Sequence, residues 1–366
     1  MSHKTYAPIP MVPGPVSLHP KVLDAMNRDF GSGQIEDDFL PFYHEVCKKH
    51  AKLVNTGNDI VLMTGEGMLG LWAGLKSCLA PGDKVLAIGT GVFGDGIGQM
   101  AASFGCKLKA LSLPYDSTVN MHLEAIEDAV REFKPKMLTV VDCETPSGTL
   151  NPIEKIGEIK SRLGVPLLYV DSVSSWGGAE IRMDEWNIDI LLGGSQKCLS
   201  APPSMTMVGV SPAAWEAMEK ANYQGYDSIL PWRGIYEAGR CPYTAYWHGV
   251  AALGAAADVI LEEGLENCFA RHKQVAAICR EGLHELGVKT FPDPMAVQSP
   301  TVTAALIPKG YNFQSWQAAL RKYGLITAGS FGPMYDKVFR LGHMGTQANP
   351  ALMRDALSVI KKVLEK

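Results

Sequence analysis

An α/β fold is predicted, a parallel or mixed sheet covered on both faces by helices, with a smaller α+β unit toward the C-terminus. Two observations carry it. Between about residues 45 and 210, short continuous apolar runs alternate with helical segments. Strands buried on both faces read this way, whereas strands with one wet face alternate polar and apolar. After about residue 285 the rhythm changes to two strand-like runs flanking helical segments. A chain of 366 residues, 46% hydrophobic and 20% charged, is long enough for a large domain with a second one appended.

In order along the chain, residues 1–20 read as an extended, proline-rich arm. NDIVLMT (58–64) is a buried strand, and GEG (65–67) turns it into the helical MLGLWAGLKSCLA. KVLAIGT (84–90) is a second strand, followed by the turn and helix GVFGDGIGQMAASFG. MLTVVDCE (137–144), VPLLYVD (165–171) and DILLGGSQK (189–197) are three more. Helical periodicity runs through 247–285, and SPTVTAALIP (299–308) and KVFRLGHMG (337–345) are the strands of the small unit. The Gly-, Pro- and aromatic-rich stretch 223–244 reads as a long loop, a length usually reserved for function or an interface. The expected division is an arm at 1–20, a large domain at 21–260 and a small domain at 261–366.

Composition excludes several classes. The net charge is −4 with both signs mixed, so no basic stripe points to nucleic acid. No apolar run reaches the ~18 residues of a membrane span. The start MSHKTYAPIPMVPGP carries prolines where a signal peptide needs an apolar helix, so the expected location is the cytoplasm. The eight cysteines (47, 78, 106, 143, 198, 241, 268, 279) form no CxxC pair, which argues for reduced, mostly buried thiols and no metal site.

The polar residues at successive strand ends form a set, because ligands of such sheets bind at the carboxyl ends of the strands. At GEG, backbone N–H groups opening a helix suit a phosphate, although a glycine turn there is often only structural. Asp171 ends one apolar strand, where an Asx turn or helix cap is the plain alternative. Lys197 ends the next, and an unpaired ammonium among apolar residues costs several kcal/mol, on the order of a lost core contact. A desolvated lysine has a lowered pKa and can form a Schiff base with an aldehyde. A facing aspartate can keep a pyridinium nitrogen protonated so that the ring is an electron sink. Together these residues describe a pyridoxal phosphate site.

Strand–GxG–helix, then VDSVSSWGG (170–178) and GGSQKCLSAPP (193–203), resembles the class V aminotransferases of fold type I, in the branch of alanine–glyoxylate and serine–pyruvate enzymes. The resemblance covers nearly the whole chain, from MVPGPVSLHPKVL (11–23) onward. It implies a mainly parallel seven-stranded sheet, pyridoxal 5′-phosphate, a small-molecule amino donor and a 2-oxo acid. It further implies a homodimer, or a tetramer of dimers, with a site shared across subunits. By the resemblance, Lys197 is the Schiff-base lysine, Asp171 pairs with the ring nitrogen, and Val173 and Phe93 cover the two ring faces. Thr145 binds the ring hydroxyl, and Gln196 and the Gly67 amide hold the phosphate, with Glu66 and Met68 also at the cofactor. Thr244 reaches the phosphate from the neighbouring subunit, while Cys241 stands where many relatives have a tyrosine. Arg340, in an apolar strand, grips the substrate carboxylate, a task that suits a planar two-pronged donor.

Within the branch, GEGMLGLWAG (65–74), GVFGDGIG (91–98), LPYDSTVN (113–120), TPSGTLNPIEKIG (145–157) and RLGHMG (340–345) are similar to the pyridoxamine–pyruvate aminotransferases. That group turns pyridoxamine and pyruvate into pyridoxal and alanine. Glu66 carries the point: a carboxylate beside a phosphate dianion is repelled by roughly a kcal/mol, and the pyridoxamine enzymes have a glutamate here. Glu66 is thus also a candidate substrate residue, unless it turns to solvent. The chain departs from the group at Phe331, where a second arginine is expected, with Arg233 a replacement by composition only. A desulfurase-type lyase is disfavoured because Cys279 lies in a helical pattern and Phe93 stands where those enzymes have histidine. A non-catalytic relative is disfavoured by the retention of Lys197, Asp171 and Arg340.

Overall fold

The computed structural model describes residues 8–33 and 35–365. Seven strands form the central sheet: β1 (Asp59–Thr64), β2 (Lys84–Gly89), β3 (Lys107–Ser112), β4 (Met137–Val141), β5 (Leu167–Asp171), β6 (Ile190–Gly194) and β7 (Met205–Val210). Their spatial order is β1-β7-β6-β5-β4-β2-β3. Only β7 runs against its neighbours β1 and β6; the other pairings are parallel. The expected mainly parallel, seven-stranded α/β sheet is what the chain forms.

Two of the seven strands were not anticipated, and each has a reason. The edge strand β3 (KLKALS) is polar and half-exposed, because an edge carries lysines rather than a core pattern. The sequence MTMVGV of β7 is fully buried but follows directly on the prolines of the preceding loop. At the other edge, helix Phe39–Leu53 covers β1, and the Tyr43 hydroxyl donates to Leu62 O (3.0 Å) and accepts from Leu62 N–H (2.7 Å). That contact satisfies backbone groups the edge would otherwise leave open. The run 137–144 breaks after Val141 into a short second strand, Cys143–Glu144. The helical stretch 247–285 is two helices, Trp247–Glu263 and Leu265–Glu285, separated by Gly264 at φ +84°. Stretch 223–244 holds only a 3₁₀ turn and a one-turn helix.

A second, three-stranded antiparallel sheet contains β8 (Val302–Leu306), β9 (Ala328–Gly329) and β10 (Val338–Gly342), in the order β8-β10-β9. Its core, with Val275, Trp316, Phe339 and Ile360, is separate from the large core around the seven-stranded sheet. The arm joins the two. Ile9–Pro10 pairs in parallel with Leu325–Ile326, Met11 is buried in the small core, and Val16 N–H donates to Gln196 O (3.1 Å). Residues 1–7 of the expected arm lie outside the described residues.

All eight cysteines are free, and seven are buried, Cys241 being half-buried. No helix among the described residues is long and apolar enough to cross a membrane.

Candidate active site

Because β1, β2, β4, β5 and β6 run in one direction, their carboxyl ends open on one edge of the sheet. The loop between β6 and β7 is held tight there. Ser195 donates its hydroxyl to Pro202 O and accepts from Ser204 and Met205 N–H, so it braces the loop rather than offering a contact to a ligand. Lys197 projects from this loop. Its Nζ donates to Pro13 O of the arm (2.5 Å). Burial, with the positive charge of Arg340 second, lowers the Lys197 pKa, while Cys143, Cys198 and Asp171 partly oppose the shift. A lysine so placed is biased toward its neutral, nucleophilic form.

The arm passes over Lys197 at Gly14, whose φ of +92° is left-handed. A methyl group there would stand 2.5 Å from Lys197 Cδ and 2.9 Å from Nζ. Gly14→Ala is therefore expected to lower turnover about tenfold or more and to cost ~1–3 kcal/mol of stability from backbone strain. Steady-state rates and the thermal midpoint check this together.

Asp171, at the end of β5, is buried. Its Oδ1 accepts Val173 N–H (2.9 Å), and the carboxylate makes no ion pair with Lys197. Burial pushes its pKa up to about 6; the Val173 hydrogen bond and the Lys197 charge pull the other way. Two further buried acids stand beside it and were not picked out in the sequence. Asp142 accepts from Ser175 Oγ (2.5 Å) and is pushed up to about 7, chiefly by burial. Glu144 accepts the N–H groups of Gly94 (2.6 Å) and Phe93 (3.4 Å), and burial pushes it up to about 8. Glu144 thereby caps helix Val92–Ser103 from across the sheet and fixes its first turn, which bears Phe93. The available signal was two acids, Asp142 and Glu144, within one apolar strand sequence.

At the start of helix Gly67–Cys78, Glu66 is the N-cap residue and makes no side-chain cap bond. Instead its Oε2 accepts from Gln196 Nε2 (3.0 Å). Gln196 is buried, and its Oε1 has no partner among the described residues. Val173, Gly67 and Gly194 meet at the same point: a methyl on Gly67 would lie 2.9 Å from Val173 Cγ2, and one on Gly194 3.0 Å from both Val173 Cγ1 and Gln196 Oε1. Met68 is exposed in the first turn.

Arg340 comes from β10 of the small sheet and is 5% exposed. It forms no ion pair among the described residues; its Nε donates to Gly329 O (2.7 Å), and burial lowers its pKa to about 10. A desolvated guanidinium without an acid is a receptor for a carboxylate. The Phe331 ring lies 4.9 Å from the Arg340 Cζ and 6.2 Å from the Phe93 ring, tilted by 57°. Thr145 is buried beside Glu144.

Three residues stand apart. Thr244 is exposed on the segment before helix Trp247–Glu263, and Cys241 lies on the same segment. Arg233 pairs with Glu219 and stacks over Trp215 (5.3 Å), so it is tied to helix Pro212–Ala221 and does not replace a second arginine beside Arg340.

The arrangement fits a flat pyridine ring, with a lysine for its carbonyl carbon, an aspartate for its nitrogen, and Val173 and Phe93 able to cover its faces. The phosphate end is divided. The Gly67 and Met68 N–H groups have no acceptor among the described residues, which suits an anion, yet Glu66 brings a carboxylate to the same turn.

The family model for class V aminotransferases matches residues 26–333. The pyridoxamine–pyruvate transaminase of Mesorhizobium japonicum is 34% identical over 360 residues, 96% of this chain and 90% of the relative. The alanine–glyoxylate aminotransferase of Oryctolagus cuniculus is 30% identical over 365 residues, 96% of this chain and 91% of the relative. Among solved structures, pyridoxamine–pyruvate aminotransferase from Mesorhizobium loti superposes with a TM-score of 0.94 at 31% identity, covering 100% of this chain and 94% of that one.

Proposed function

The chain belongs to the class V aminotransferases, a family dependent on pyridoxal 5′-phosphate, and from that premise we propose that it takes pyridoxamine as amino donor and pyruvate as acceptor. The observation that carries this reading is the Glu66–Gln196 pair. Glu66 takes up the Gln196 amide N–H₂, and the buried Gln196 Oε1 is left without a donor among the described residues. A hydroxymethyl group supplies that donor. A phosphate dianion does not, and a carboxylate at short range adds roughly a kcal/mol of repulsion.

When bound, the pyridine ring supplies an electron sink next to the reacting carbon. The remaining work falls to the chain. Lys197 Nζ takes the proton from the donor carbon that bears the amino group and returns it to the acceptor carbon, acting as base and then acid. Asp171 holds a proton on the ring nitrogen, a pairing that repays the cost of its own burial. Phe93 and Val173 keep the ring flat and dry, Thr145 serves the ring hydroxyl, and Arg340 aligns the 2-oxo acid by its carboxylate.

The test is an assay of pyridoxamine plus pyruvate beside alanine plus glyoxylate, each with and without added pyridoxal phosphate. The expected result is pyridoxamine turnover with no phosphate cofactor present. A strict need for the phosphate overturns the reading and favours the second one, an alanine–glyoxylate-type enzyme, which the unpaired N–H groups of Gly67 and Met68 support. Glu66→Ser is expected to tighten pyridoxal phosphate binding about tenfold, read by equilibrium dialysis, since ~1.4 kcal/mol is a factor of ten.

We also propose a division of labour: a large domain (21–260) for the ring, a small domain (261–366) for Arg340 and an arm (1–20) over Lys197. Two separate cores support it. A homodimer, or a tetramer of dimers, in which Thr244 serves the neighbouring site is supported by the exposure of Thr244, Tyr226 and Tyr236. Eight unpaired thiols support a cytoplasmic location.

A further inference from the structure

We propose that Phe331 is a specificity-determining residue: by covering the guanidinium of Arg340 it restricts the acceptor to 2-oxo acids with one carboxylate and a small, uncharged side chain. The proposal rests on the reading of Arg340 as the carboxylate holder.

Arg340 is enclosed on three sides. Gly329 O takes its Nε–H, β8 flanks it through Ala304, and the Phe331 ring lies over its face at 4.9 Å. Its terminal amino groups make no hydrogen bond among the described residues, so one edge of the fork is left for a bidentate acid. Phe331 is 48% and Phe93 36% exposed, and the two rings meet where the small sheet faces helix Val92–Ser103. They are the apolar walls at the mouth of the cleft.

The wall is held in place. Ser330 Oγ donates to Pro146 O (2.7 Å), next to Thr145, and Gly332 makes the following turn at φ +55°. Met334 N–H then returns to Phe331 O (3.2 Å), and Met334 is buried with Ala304 and Val338 against Val92 and Tyr115. The backbone that carries Phe331 is thus tied to both the large sheet's helix and the small sheet, which places its ring over Arg340.

The consequence is chemical. An aromatic face carries negative potential, which favours the guanidinium and disfavours an anion. The side chains beside the free edge of Arg340 are the uncharged rings of Phe331 and, next to it, Phe93. A second carboxylate of the acid would face these π-faces rather than a second cation.

Acceptor kinetics with pyruvate and oxaloacetate, which differ by one carboxylate, test this on wild type, F331L, F331R and R340L. Ligand-detected NMR of the unreactive acids propionate and succinate gives a binding readout independent of turnover. Expected for wild type is a preference for pyruvate of about 100-fold or more in kcat/KM, and for propionate over succinate in binding. F331L should raise the KM for pyruvate about three- to tenfold, more than it lowers kcat, because the apolar wall remains but the π-face is gone. F331R should narrow the preference tenfold or more. An unchanged preference in both Phe331 variants, with R340L losing all acceptors, overturns the role of Phe331 and leaves Arg340 standing. Unchanged KM values in R340L overturn the Arg340 reading itself.

Discussion

Lys197→Ala is expected to lower turnover by about 10⁴-fold or more, with substrate binding largely kept. On the proposed reading the residue does two things: it acts as nucleophile toward the aldehyde and carries the proton between donor and acceptor carbons. Its setting is made for both, because burial and Arg340 lower its pKa and its one hydrogen bond is to a backbone carbonyl of the arm rather than to an acid. A lysine tied to a carboxylate would stay protonated and inert. The alanine variant should fold, since it removes a group that is costly to bury and leaves only Pro13 O to hydrate. Small primary amines such as methylamine should restore part of the rate in single-turnover experiments. Retention of more than a hundredth of wild-type turnover without added amine would remove Lys197 from the mechanism.

The second large effect is expected at Arg340→Leu. Removing one partner of a buried, hydrogen-bonded charge pair costs ~2–5 kcal/mol, which is about 30-fold to several-thousand-fold in kcat/KM for the 2-oxo acid. The loss should fall on the KM of the acceptor, while the binding of pyridoxamine, which has no carboxylate, should change much less. Stability separates this from a structural role. Arg340 has no acid partner among the described residues, and its burial lowers its pKa to about 10, so the unliganded protein bears a desolvation cost that leucine does not. The thermal midpoint of the unliganded variant should therefore hold or rise. A midpoint that falls by several degrees, with equal loss of pyridoxamine binding and acceptor binding, would make Arg340 a structural residue.

Legibility in the sequence varied with the range of the interaction. The interior strands β1, β2, β4, β5 and β6 announce themselves as apolar runs because both faces are covered. The edge strand β3 does not, since its lysines face solvent. At the site, Lys197, Asp171 and Arg340 stand out because each puts a charge that must be accounted for within or directly after an apolar strand sequence, Lys197 lying in the loop three residues beyond β6. Glu144 was passed over because it sits inside a strand sequence, and its partners, Phe93 and Gly94, are about 50 residues away. Arg233 had the right chemistry, but its guanidinium is spent on Glu219 and Trp215.

What the sequence determined by itself is the α/β frame and its polar punctuation: a lysine, an aspartate and an arginine at apolar strand sequences, with glycines that open a helix beside them. Local periodicity suffices for that, because it sets which residues end strands and so which side chains share one edge of the sheet. What only the tertiary structure decided is how those groups are poised. The arm lies over Lys197 across 184 residues of chain, Gln196 is oriented by Glu66 across 130, and Phe331 of the small sheet meets Phe93 of helix Val92–Ser103. These contacts join segments whose spacing carries no period, and they exist only once two separate cores have packed and brought their loops to one cleft.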